Sequence, residues 1–137
     1  MNSEMIDKIS HYFNDHPEVA AVYVFGSYAK EKQRKYSDID LAILLKNKCI
    51  DNEVERHRTY LLGLTKLLMI DVHLVSMNGA GEVLLSQIFK YGKCVVNNAP
   101  EDLTVFKMIK YAMIADFSYH KVMMEKGFIN NILRENR

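Results

Sequence analysis

Asp38, Asp40 and Asp71 are the residues through which this 137-residue chain can do chemistry. In Ser37-Asp38-Ile39-Asp40-Leu41-Ala42-Ile43-Leu44-Leu45 the alternation of a strand sends Asp38 and Asp40 to one side. At roughly 3.3 Å of rise per residue their Cα atoms stand about 6.6 Å apart, a separation at which two carboxylates can share hard divalent cations. Ile39, Leu41, Ile43 and Leu45 take the other face, which is wholly apolar and reads as core. Two acids on an otherwise buried strand repel each other unless a counter-charge is present. Mg²⁺ removes that cost, because it binds one or two carboxylates together with substrate phosphates. Taken alone, Asp-x-Asp is a common pair, and a turn cap at Asp38 beside a solvated Asp40 accounts for it better.

The residues just upstream change that balance. Val19 to Phe25 is a short apolar run rich in strand formers, broken by Gly26-Ser27 and followed by a short helical turn at Tyr28-Ala29-Lys30. A strand that turns into a helix through Gly-Ser presents backbone N–H groups and a hydroxyl to an anion. Gly26 permits the tight turn and the close approach of a phosphate, and Ser27 can donate to a phosphate oxygen. Within the basic run Lys30-Glu31-Lys32-Gln33-Arg34-Lys35, Lys30 sits nearest this cradle, whereas the remainder reads as a solvated loop. One loop separates cradle from carboxylates, so both can face a single triphosphate. Asp71, in Ile70-Asp71-Val72-His73-Leu74-Val75, is the expected third carboxylate, able to complete a metal cluster and accept a proton from an attacking hydroxyl. His73 shares its face and is read as structural.

The elements that must position these groups follow from hydrophobic period. Ser3 caps an opening helix with Ile6, Ile9 and Phe13 on one face, and Pro17 closes it. Asp51 is expected to cap a helix whose stripe is Val54, Arg58, Leu61, Leu62, Thr65 and Leu68. A strand over Met69 to Ser76 follows, then a helix over Val83 to Tyr91 stopped by a left-handed Gly92. Cys94-Val95-Val96 reads as a brief strand or a packed loop. From Glu101 to near Asn131 one long helix carries two apolar stripes, the first including Phe106, Ile109, Met113 and Phe117, the second Met108, Ala112, Ala115 and Tyr119. One stripe is expected on the sheet and the other against a second chain.

Composition limits the alternatives. A hydrophobic fraction of 49% and a charged fraction of 26% exclude disordered, collagen-like and low-complexity classes. A formal charge of +1 gives no general attraction to nucleic acid or anionic lipid, so neither is expected as a direct partner. No apolar stretch approaches a membrane span, and the acidic start does not resemble a secretory leader. Cys49 and Cys94 lack metal-type spacing and point to a reducing compartment, so a cytoplasmic location is expected.

Gly26-Ser27, ten intervening residues and Asp38-x-Asp40 resemble the signature of the DNA-polymerase-beta-like nucleotidyltransferase superfamily. The stretch Gly26-Ser27-Tyr28-Ala29-Lys30 through Ser37-Asp38-Ile39-Asp40-Leu41-Ala42 is most similar to the minimal nucleotidyltransferases. The Asp71 strand, the Tyr91-Gly92-Lys93 turn and a terminal helix with Ala115-Asp116-Phe117 extend the likeness to MntA-type antitoxins encoded beside HEPN-domain toxins. Such members commonly carry Arg then Gly where Lys30 and Glu31 stand here; lysine keeps the charge without the planar fork.

The resemblance implies an α/β (α+β) nucleotidyltransferase fold: a small mixed sheet flanked by helices, with a long C-terminal helix. It implies a single domain over residues 1–137, with 1–100 as catalytic core and 101–137 as a helical partner-binding segment. Gly26, Ser27 and Lys30 would bind ATP. Asp38, Asp40 and Asp71 would hold two Mg²⁺ ions, or Mn²⁺ in their place, and Asp71 would activate the acceptor. The implied reaction passes AMP to a tyrosine hydroxyl of a HEPN RNase toxin and silences it. Two alternatives stand beside it: an antitoxin that acts by binding alone, and a small-molecule nucleotidyltransferase of the aminoglycoside type, for whose usual second domain this length leaves little room.

Overall fold

The computed structural model describes residues 3–26, 38–46, 49 and 51–135, with side chains described as far as residue 132. Ser27 and Lys30, expected to bind nucleotide, lie outside the described residues, as does the basic run that Lys30 opens.

The opening helix α1 spans Ser3–Asn14 and buries Ile9 and Phe13, the spacing its sequence announces. Strand β1 spans Val19–Phe25 and is buried at every position but the last. Strand β2 spans Ile39–Leu45, so Asp38 lies one residue ahead of the strand that was expected to include it. Helix α2 (Glu53–Leu68) leads to β3 (Val72–Ser76), α3 (Glu82–Tyr91) to β4 (Lys93–Asn97), and α4 (Pro100–Glu135) closes the chain. Cys94-Val95-Val96 is therefore a strand.

The four strands form one mixed sheet in the order β3-β2-β1-β4. β1 runs antiparallel to both neighbours, and β2 pairs with β3 in parallel. A parallel pair needs a crossover, and α2 supplies it. Helices cover both faces. Ile9 and Phe13 of α1 and Tyr60, Leu64 and Leu68 of α2 pack on Ile39, Leu41, Ile43 and Leu45, the face of β2 expected to be core. Ala42 and Leu44 point the other way, with Tyr23 of β1, into a second cluster closed by Leu85 and Ile88 of α3 and Leu103 of α4. Each large apolar side chain so buried contributes about 1.5–3 kcal/mol.

Several local expectations are corrected. In α2 the buried ridge is Tyr60, Leu64 and Leu68, at four-residue spacing, while Val54 is 74% and Leu62 57% exposed. Asn52, in a left-handed conformation, occupies the cap position assigned to Asp51, and no side chain caps the helix. Met69 is also left-handed (φ 55°) and terminates α2, which delays β3 to Val72 and leaves Asp71 just ahead of it. Gly92 is extended (φ −73°), not left-handed; a Cβ there would press on the Ile88 carbonyl, to which its N–H donates. In α4 neither stripe packs whole: the sheet-side face is Leu103, Phe106, Lys107, Lys110 and Ile114, and beyond Ile114 the described side chains are exposed.

Candidate active site

One end of the sheet gathers the candidate residues that the structure describes. Phe25 ends β1 opposite Asp40 of β2, and Asp40 in turn pairs with His73 of β3. The parallel register also matches Ile39 with Val72, so Asp38 and Asp71 stand one residue ahead of that pair, side by side at the strand starts. The Ile39 N–H donates to the Asp71 carbonyl at 3.1 Å, which ties the two starts together. Alternation puts Asp40 on the same face as Ala42 and Leu44, the side covered by α3 and α4. That cover stops short of Asp40, whose side chain remains 26% exposed.

Gly26 shapes this end. Its φ is +70°, a conformation that L side chains rarely adopt, and a Cβ on it would overlap the Asp40 carboxylate. The glycine expected to allow close approach of a phosphate thus also makes room for an aspartate. On its other side the Asp40 Oδ1 accepts from His73 Nδ1 at 3.0 Å. His73 was read as merely structural; its place two residues after Asp71, on the same face, is the signal that marks it as a neighbour of the site.

Asp38 and Asp71 are exposed. Among the described residues no three His, Cys, Asp or Glu side chains lie close enough to hold an ion as they stand. The donor set nevertheless fits a hard cation, because it is all carboxylate oxygen on adjacent strand starts. Asp38, Asp40 and Asp71 are the residues that would hold Mg²⁺.

A cation approaches the same face from α4. Lys107 Nζ lies 5.5 Å from the Tyr23 ring centroid and 6.0 Å from that of Phe89, and Tyr23 pairs with Ala42, two residues along β2 from Asp40. Burial pushes the Tyr23 phenol and the Cys94 thiol up from their ordinary values, so neither ionises readily beside it.

This arrangement has relatives. The family profile described as polymerase beta, nucleotidyltransferase, matches residues 7–101. The chain belongs to the polymerase-beta nucleotidyltransferase family. The chain is 33% identical over 86 residues to protein adenylyltransferase MntA of Shewanella oneidensis, a match that spans 63% of this chain and 60% of that protein. It also superposes on a chain of a toxin–antitoxin crystal structure with AMP-PNP, at a TM-score of 0.71 and 26% identity, over 90% of this chain and 98% of the other. A third likeness is to a chain in the structure of tri-AMPylated Shewanella oneidensis HEPN toxin in complex with MNT antitoxin, at a TM-score of 0.68 and 25% identity, over 94% of this chain and 99% of the other. The mixed sheet and long terminal helix are thus those of a nucleotidyltransferase fold. No helix among the described residues is long and apolar enough to cross a membrane.

Proposed function

We propose that this nucleotidyltransferase is an antitoxin that transfers AMP from ATP to a tyrosine hydroxyl of a HEPN-domain toxin. The observation that carries this reading is the placing of Asp38, Asp40 and Asp71 on adjacent strand starts, next to a left-handed Gly26, within a nucleotidyltransferase fold. The likeness to MntA and to chains of toxin–antitoxin structures supports the choice of acceptor.

In this reading Gly26, together with Ser27 and Lys30, binds the triphosphate. Asp38, Asp40 and Asp71 would hold divalent cations, which would supply neutralisation of the phosphate charge. Asp71 accepts the tyrosine proton as the phenolic oxygen bonds to the α-phosphorus. The bond from that phosphorus to the bridging oxygen breaks, and pyrophosphate leaves.

Helix α4 supplies the means to hold a protein acceptor. It starts beside Ala20, where the Ala99 N–H donates to the Ala20 carbonyl at 3.1 Å, passes Tyr23 at Lys107, and meets Phe89 at Tyr111 with ring centroids 5.0 Å apart. That path leads from the far end of β1 toward its Phe25–Gly26 end. From Tyr111 the helix continues to Glu135, about 36 Å at 1.5 Å per residue. Phe117, Tyr119, Met124, Phe128 and Ile129 are exposed on this extension. So much uncovered apolar surface on a small protein fits an interaction site. In this reading a partner seated there approaches the end of the sheet that carries the carboxylates.

The test is to incubate the protein, its neighbouring toxin, ATP and Mg²⁺, and to measure intact masses. AMP adducts on a toxin tyrosine are expected; an unmodified toxin overturns the reading. The separation of the three carboxylates as they stand favours one second reading, neutralisation by binding alone. Under it, protection from the toxin survives replacement of both Asp38 and Asp40 by asparagine.

A further inference from the structure

We propose that His73 is a positioning residue for Asp40, setting the direction of its free oxygen and hence its grip on a divalent cation; the inference rests on the nucleotidyl-transfer reading. The two residues are register partners in the parallel β2–β3 pair, so the backbone places both side chains on one face. The His73 Nδ1 and Asp40 Oδ1 are 3.0 Å apart. An ionised carboxylate only accepts, so Nδ1 carries the hydrogen and donates it. The His73 side chain is 66% exposed, which means that core packing does not dictate where the ring sits. Its described side-chain partner is Asp40.

The other oxygen, Oδ2, faces the Cα of Gly26, in the space a side chain at that position would fill. Asp40 is therefore held at one oxygen by a hydrogen bond and bounded at the other by backbone. A carboxylate so placed does not have to surrender rotamer freedom when it binds an ion. Hydrogen-bonding neighbours of a ligating group typically change metal affinity about 10–100-fold.

The geometry separates the possible replacements. The asparagine Nδ2 lies the same number of bonds from the backbone as the histidine Nδ1, so His73→Asn keeps a donor within reach of Oδ1. In His73→Gln the nitrogen is one bond further out, and in His73→Ala the donor is lost. Because the ring is exposed, all three variants should melt with the wild type.

Titration with Mn²⁺ alone, read from the electron paramagnetic resonance signal of the free ion, tests this on the whole chain. His73→Ala and His73→Gln should weaken binding about 10–100-fold, and His73→Asn should restore most of it. The Mg²⁺ concentration for half-maximal AMP transfer should rise by the same factor. His73→Ala that binds Mn²⁺ as the wild type does, or more tightly because His73 competes with the ion for Asp40, overturns the inference alone. A wild-type protein that binds no Mn²⁺ overturns the metal-dependent transfer reading and this inference with it.

Discussion

The carboxylate of Asp40 occupies the space in which a side chain at position 26 would have to stand. Gly26 follows directly on β1, Asp40 lies near the start of β2, and the antiparallel pairing of Phe25 with Asp40 brings them together. One glycine thereby serves the turn and the acid at once. Gly26→Ala should lose about 1–3 kcal/mol of stability from the left-handed backbone. It should also lose AMP transfer, because the new methyl displaces Asp40. A melting curve and a transfer assay on one preparation check both; a variant that transfers AMP at the wild-type rate removes the close approach from the argument.

Asp71 stands ahead of β3 and is exposed, so Asp71→Asn leaves packing untouched. Under the proposed reaction, the amide would neither accept the tyrosine proton nor ligate as an anion. Transfer should fall about a hundred- to ten-thousand-fold with an unchanged melting temperature. Single-turnover rates with radiolabelled ATP measure the drop, and a rate within a few-fold of wild type rejects Asp71 as the proton acceptor.

Glu18 carries a separate prediction about pH. Its Oε1 accepts from the Tyr60 hydroxyl at 2.6 Å, lies 3.0 Å from His16 Nδ1, and is 3.6 Å from Arg56 Nη1. Burial by itself raises the Glu18 carboxyl, but the hydrogen bonds from Tyr60, from the backbone and from His16 outweigh it and hold the group below its ordinary value. Burial and the Glu18 carboxylate push the Tyr60 phenol far up. A carboxyl lowered in the folded state adds stability above its unfolded pKa, and that stability drains away as pH falls through the folded value. Glu18→Gln should cost about 1–3 kcal/mol at neutral pH and close the gap to wild type in acid. Urea melts across the acidic range decide it; parallel curves at all pH values count against the carboxylate.

Met124 and Phe128 sit one helical turn apart on α4, 74% and 66% exposed. Replacing both with glutamate should leave the melting temperature where it is, since neither touches the core. Under the antitoxin reading, capture of a HEPN-domain toxin should weaken at least about tenfold if this face is a central part of the interface. Surface-immobilised toxin gives the affinity; unchanged capture relocates the interface.

Most elements were legible from hydrophobic period alone. Val19–Phe25 is the buried strand its composition suggests, and Ile39, Leu41, Ile43 and Leu45 form the core face expected of an alternating strand. The stripes on α2 and α4 were harder to read, because both helices carry apolar residues on more than one face. Tertiary contact selects among such stripes: Tyr60, Leu64 and Leu68 win in α2, and Leu103, Phe106 and Ile114 in α4. The left-handed Met69 gave no sign in its residue type, yet it sets where β3 begins.

Residue identity pointed to the candidate site: carboxylates two apart, a third acid in an apolar run, and a glycine–serine break ahead of them. Spacing along a chain says which face a side chain takes within its own strand, since that depends on local backbone geometry alone. It does not say which strands lie side by side. The parallel register of β2 with β3 sets Asp71 next to Asp38 and His73 against Asp40, and the antiparallel register of β1 brings Gly26 under Asp40. Those contacts join residues far apart in sequence, and hydrogen-bond pairing across the folded sheet creates them.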